Sequence, residues 1–209
     1  DKNIIPAPHN GSEGLRPGLG QENQDGYPAG DINSVMKPYG LPLHYVEGIN
    51  EWDDLAVKEK SMLMAAEMER VLGYGDVAVN LAVTSLVANQ WLYDNEQSSA
   101  DWITKYIQGW VDRAEANDGI VPDNVAPNGE VGGLHDGRWF GGHYGWTWPH
   151  GFYSVSHATL VAALNAILVS GDKSVLQLTR TVLQKVKSLG RVGTIIETES
   201  SLQAGTERF

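Results

Sequence analysis

The chain contains no cysteine. Disulfides, thiolate-bound zinc and a cysteine nucleophile are therefore excluded. The compartment is not fixed by this, since periplasmic and secreted bacterial proteins often lack cysteine too. No run of 18 or more apolar residues occurs, so no segment reads as a transmembrane helix. No signal-peptide pattern is seen at Asp1. Basic residues are scarce: 15 Lys and Arg stand against 26 Asp and Glu, a net charge of −11. Nucleic acid and anionic membrane surfaces both need clustered Lys and Arg, so neither partner is expected. A local Arg or His can still hold an anionic substrate against the global field. There is no Gly-x-Ser-x-Gly elbow, no phosphate loop and no dinucleotide fingerprint. No two histidines have the i, i+4 spacing of an HExxH site, so no metal and no cofactor are expected.

What is present is a globular composition of 42% hydrophobic and 20% charged residues over 209 positions. Residues 1–50 are rich in Gly, Pro, Asn and Asp and read as an irregular N-terminal arm. A helical domain follows over 51–193, and 194–209 reads as a polar tail. Five helices are expected, over about 53–72, 77–93, 98–117, 154–169 and 172–189. The first carries Val57, Met62, Leu63, Met64, Met68 and Val71 as a broad apolar face. The second and fourth are apolar around most of their circumference, the mark of a helix buried on more than one side. In the third, Trp102, Ile103, Tyr106, Ile107, Trp110 and Val111 share one face.

Gly75-Asp76 and Gly171-Asp172 each follow an apolar helix and precede another, and Asp94-Asn95 resembles a worn copy of that joint. A recurring helix–turn–helix unit points to an all-α fold of stacked helical hairpins. The alternative is that Gly-Asp is only a common stop-and-cap pair. Five helices make about half of a closed ring, so a second chain or a further segment would have to complete one.

The chemistry is expected in the loop at 118–153. Between Gly132 and Tyr153 it holds three Trp, three His, two Tyr and one Arg. Trp139, Trp146 and Trp148 offer flat faces with a polar N–H at the edge, suited to a sugar ring. Their alternative role is to pack the loop onto the helices. His143 and His150 can move protons near neutrality. His157 reads as a hydrogen-bonded core histidine. Arg138 is the only Lys or Arg between Arg113 and Lys173 and can clamp a carboxylate. Its bland role is an ion pair with Asp136 or Glu130. Asp123, Glu130 and Asp136 supply the carboxylates a glycoside hydrolase would need. Asp123-Asn124 after Pro122 otherwise reads as a turn, as does Asp118-Gly119.

Gly75-Asp76 to Asn80-Leu81, Asn117-Asp-Gly-Ile-Val-Pro-Asp-Asn124 and Trp139-Phe-Gly-Gly-His-Tyr-Gly-Trp-Thr-Trp-Pro-His-Gly151 together resemble α/α-toroid (six-hairpin) carbohydrate-active enzymes. The resemblance covers roughly residues 55–190 and lies nearest to bacterial polysaccharide lyases acting at glucuronate, such as the rhamnose–glucuronate lyases. It implies a bacterial periplasmic or secreted enzyme that cleaves a uronate-containing polysaccharide or oligosaccharide by β-elimination. Arg138 or Asn124 would neutralise the uronate, His143 or His150 would be the base, and Tyr144 or Tyr153 the acid. Trp139, Trp146, Trp148, Asn124, Asp123, His135 and Asp136 would bind substrate. A six-hairpin hydrolase using a carboxylate pair and a non-catalytic glycan-binding module remain the alternatives.

Overall fold

A computed structural model describes residues 2–5, 41, 43–148 and 150–190. Most of the expected arm and the whole tail at 194–209 lie outside the described residues. The described chain is all-α: α1 (Lys58–Leu72), α2 (Thr84–Asp94), α3 (Gln97–Ala116), α4 (Gly151–Ser170) and α5 (Gln177–Leu189).

Two expected helices are each split by a 3-10 turn. Asp54 folds back to accept the N–H groups of Asn50 and Glu51 at 2.8 and 3.2 Å. That closes a 3-10 turn at Trp52–Ala56, and extended Val57 separates it from α1. Likewise Ala78–Val83 is 3-10, and the α-helix starts only at Thr84. Asn95 ends α2 in the left-handed conformation, and α3 begins two residues later. Gly171 ends α4 the same way. Asp172 then accepts both the N–H and the hydroxyl of Ser174 at 2.8 Å, shaping the turn into α5.

The two Gly-Asp pairs thus do different work. Gly171-Asp172 is a helix joint. Gly75-Asp76 is instead bridged antiparallel to Val125 in the loop. Asp76 is no exposed cap but a buried acceptor. It takes hydrogen bonds from the N–H groups of Ile5 and Val77, the Asn80 amide and the Tyr106 hydroxyl, all near 2.9 Å. Burial pushes its carboxyl up to about 6, and these donors keep it from rising further.

α4 is the central helix, packed against α2, α3, α5 and the 78–83 turn. Its buried side is small: Ala158, Ala162, Ala163 and Ala166 let its neighbours approach closely. Its outer side carries Leu160, Leu164 and Leu168, all at least 41% exposed. The helix is also long and apolar enough, by composition, to cross a membrane, with a mean hydropathy of 1.6. Among the described residues its alanine side packs into the bundle, and about a third of this apolar stretch is buried. α2 departs from expectation: it buries only Thr84 and Ala88, because it meets α3 and α4 along one side, and Leu86, Leu92 and Tyr93 face outward. α1 likewise buries only one stripe, leaving Val57 before it and Met62 and Leu63 within it exposed.

There are two hydrophobic cores. One joins α2, α3, α4 and α5 around Trp110, Ile103, Ile107 and Leu81. The other is formed by Leu43, Ile49, Trp52 and Leu55 with Met64, Met68 and Leu72 of α1. α1 packs on the 52–56 turn and makes little contact with the other four helices. What joins the two cores is the loop that follows α3.

Candidate functional site

The loop runs from Asn117 to His150 and is organised around one side chain. Asp123 is fully buried. Its carboxylate accepts backbone N–H groups from Gly142 at 2.9 Å, Trp146 at 2.7 Å and Gly141 at 3.2 Å. The Asn124 amide adds a fourth donor at 3.3 Å. Burial raises the Asp123 carboxyl above its ordinary range, opposed by these donors. Gly142 and Gly145 make the cradle sterically feasible, because a β-carbon on either would overlap Asp123.

On this scaffold three rings meet. His143 is buried, with its ring centroid 4.4 Å from Tyr144 and 4.9 Å from Trp148. Tyr144 and Trp148 are themselves 4.9 Å apart. Tyr144 adopts a left-handed backbone at φ 53° and is 45% exposed, so it forms the solvent side of the cluster. The structure therefore brings together His143, Tyr144 and Trp148 from the expected set.

Trp139 and Trp146 lie elsewhere on the loop. Trp146 donates its indole N–H to the Val121 carbonyl at 2.7 Å and packs on the larger core. Trp139 meets Phe140 edge-on, and its carbonyl accepts the Asp123 N–H at 3.0 Å. The packing role considered for the tryptophans thus applies to Trp146, which nevertheless keeps a face on a cleft with Trp139.

Several expected roles are overturned by burial. Asp123 cannot touch substrate, since its acceptor positions are filled by the loop backbone. Asn124 is buried too, and its amide donates to Asp123 and to the Arg138 carbonyl. Its amide thus holds the loop together rather than facing solvent. His135 is 1% exposed and donates Nε2–H to the Val71 carbonyl at 2.8 Å. Burial pulls its pKa down, so at neutral pH it is an uncharged core imidazole. The core role expected of His157 is filled by His135 instead. His157 is exposed and stacked on Tyr153 at 5.7 Å across one turn of α4. Tyr153, 70% exposed, lies in the first turn of α4 rather than in the loop. His150 immediately precedes that helix and is exposed.

Arg138 is half-buried with its guanidinium 4.2 Å over the Tyr45 ring, and its Nε donates to the His135 carbonyl. Among the described ion pairs none involves Arg138. Asp136, exposed, faces Arg70 instead at 3.7 Å. Among the described residues no cluster of His, Asp or Glu is arranged to hold a metal.

The family described as a domain of unknown function (DUF8034) matches residues 1–208. The chain belongs to that family. No curated protein and no solved structure matches it.

Two features of this family member lay beyond sequence reasoning. Tyr45, within residues 1–50, is the platform for the Arg138 guanidinium. The α5 residues Val182, Lys185 and Val186 share a cleft with the loop tryptophans.

Proposed function

We propose that this protein is a carbohydrate-active enzyme that cleaves a uronate-containing polysaccharide by β-elimination, on a helical body belonging to the α/α-toroid type. The observation that carries the reading is the His143–Tyr144–Trp148 cluster. A proton-transfer pair stands beside an aromatic surface, on a loop pinned by a buried carboxylate. In the reaction His143 takes the proton from C5 of the uronate. The C4–O bond breaks as the C4–C5 double bond forms, and Tyr144 gives its proton to the departing oxygen. The charge that develops passes onto the uronate carboxylate, where a cation is needed. Arg138 suits that role, because no carboxylate among the described ion pairs neutralises it.

The hairpins α2–α3 and α4–α5, each closed by a short turn, support the toroidal reading. A hydrolase is disfavoured because Asp123, one of its three carboxylates, is committed to the loop backbone. A periplasmic or secreted location fits an enzyme acting on polymer outside the cell. The test is ultraviolet absorbance of unsaturated uronate during incubation with a panel of glucuronate-containing polysaccharides. A rise that is lost in His143→Ala supports elimination. New reducing ends without the rise indicate hydrolysis. Binding with neither signal indicates a glycan-binding module.

A further inference from the structure

Glycine in the body of a helix weakens it, yet α3 carries a buried Gly109. The reason lies outside the helix, where residues 2–5 rest on this point. A β-carbon on Gly109 would come within 3.0 Å of Asn3 Cβ and 3.4 Å of the Asn3 carbonyl. Arg113, one turn further along α3, donates to the Lys2 carbonyl at 2.6 Å and to the Asn3 carbonyl at 3.3 Å. The Ile5 N–H goes to the Asp76 carboxylate at 2.9 Å. All three bonds are to the main chain of the segment. The side chains of Ile4 and Ile5 pack on the larger core. Lys2 reaches the loop itself, since a β-carbon on Gly129 would sit 3.4 Å from its side chain.

α3 and Asp76 thus form a groove fitted to a short stretch of backbone. Both hydrogen bonds described for the Arg113 guanidinium go to residues 2–5. Burial disfavours the charge of that guanidinium, with the Asp76 carboxylate opposing, so the two carbonyls matter to it. Three hydrogen bonds and two partly buried isoleucines must offset the ordering of four residues. The segment is therefore held by a narrow margin.

Asp76 is also where this segment meets the loop. The Asp76 N–H and carbonyl pair with Val125 at 2.7 and 2.8 Å. Beside Val125 stand Asn124 and Asp123, and Asp123 gathers the N–H groups of Gly141, Gly142 and Trp146 around the turn that bears His143. We propose that residues 2–5 are a releasable strap that fastens the loop. Docked in the Gly109 groove, they hold the Asp76–Val125 bridge and, through it, the turn carrying His143, Tyr144 and Trp148. Undocked, they let that turn loosen. The coupling runs along a continuous hydrogen-bonded path from an element with two states. It does not depend on which reaction the aromatic cluster performs.

The test is residue-resolved amide exchange of the full chain by nuclear magnetic resonance. Ile4→Asp puts a carboxylate into the apolar contact of the strap. Gly109→Leu fills the groove from the α3 side with a good helix former. In both variants the Ile5 N–H should exchange as in an open chain. The backbone N–H groups of Gly141, Gly142 and Trp146 should then exchange about tenfold faster than in the wild type. Ala162 and Ala163 in α4 should keep their rates, and Ile4→Val should leave every rate near wild type. An Ile5 N–H unprotected in the wild type, or still protected in both variants, overturns the strap. So do wild-type rates at Gly141, Gly142 and Trp146 once Ile5 is released, or faster exchange at Ala162 and Ala163 as well, which would mean a general loosening. No substrate enters the measurement, so the strap can fail while elimination stands, and elimination can fail while the strap stands.

Discussion

Tyr106 in the middle of α3 donates its hydroxyl to the carboxylate of Asp76, 2.9 Å away, inside the larger core's edge. The same carboxylate receives the N–H of Ile5, so it ties the start of the described chain to the helical body. Because burial lifts the Asp76 carboxyl from 3.8 to about 6, the folded state favours its neutral form. That contribution to stability is complete below pH 3.8 and is lost as pH rises through about 6. The total is about 3 kcal/mol. Asp76→Asn keeps the side chain's shape but cannot ionise. In urea unfolding, the variant's stability relative to wild type should therefore improve by up to about 3 kcal/mol between pH 4 and pH 7. A difference that stays flat with pH would remove Asp76 from this role.

Asp123→Asn replaces an acceptor that four donors share with a group that must itself donate on one side. At least one N–H of Gly141, Gly142 or Trp146 loses its partner in a buried site. The expected cost is about 3 kcal/mol. Near-ultraviolet circular dichroism should report the accompanying loss of the ordered His143–Tyr144–Trp148 rings. A thermal midpoint and spectrum equal to wild type would contradict the cradle.

Gly119 has φ +75° and lies against Thr181. Gly119→Ala adds left-handed strain and a clash with α5, together about 2 kcal/mol. Thr181→Ala should recover part of it by making room, and a double-mutant cycle in urea measures the coupling. Additive effects would mean that the turn and α5 do not touch.

Under the elimination reading, His143→Ala should lower the rate by roughly 10²–10⁴-fold. Tyr144→Phe keeps the ring on His143 but removes the proton donor, so activity should fall while thermal stability is retained. His150→Ala and Tyr153→Phe should keep most of the rate, since the described ring contacts place Tyr153 on His157. The absorbance assay decides, and a larger loss in His150→Ala than in His143→Ala would move the base.

Helical content and the position of the loop were legible because they rest on local signals. The 3–4 spacing of Ile103, Ile107 and Trp110 and the left-handed ends at Asn95 and Gly171 are properties of adjacent residues. The splitting of two helices was not legible. It depends on where Asp54 turns its carboxylate, and on the 78–83 segment lying under α4. The fates of Asp123, Asn124 and His135 were misread for a related reason. A polar residue in a glycine-rich loop looks exposed, and only the tertiary path of residues 139–146 shows that the loop closes over them. His157 was misread in the opposite direction, because an apolar helix suggests burial all round. α4 is buried on its alanine side only.

The two hydrophobic cores are clipped together by the loop: Val71 receives His135, and Leu134 receives Arg70. Each clip joins the α1 side of the chain to loop residues rather than to another helix. Amide exchange in α1 therefore depends on how often the loop opens, although α1 lines neither the aromatic cluster nor the cleft. Any ligand that holds the loop shut slows exchange in Met64, Met68 and Leu72. The slowest protons of α1 then serve as a remote gauge of whether the loop is occupied.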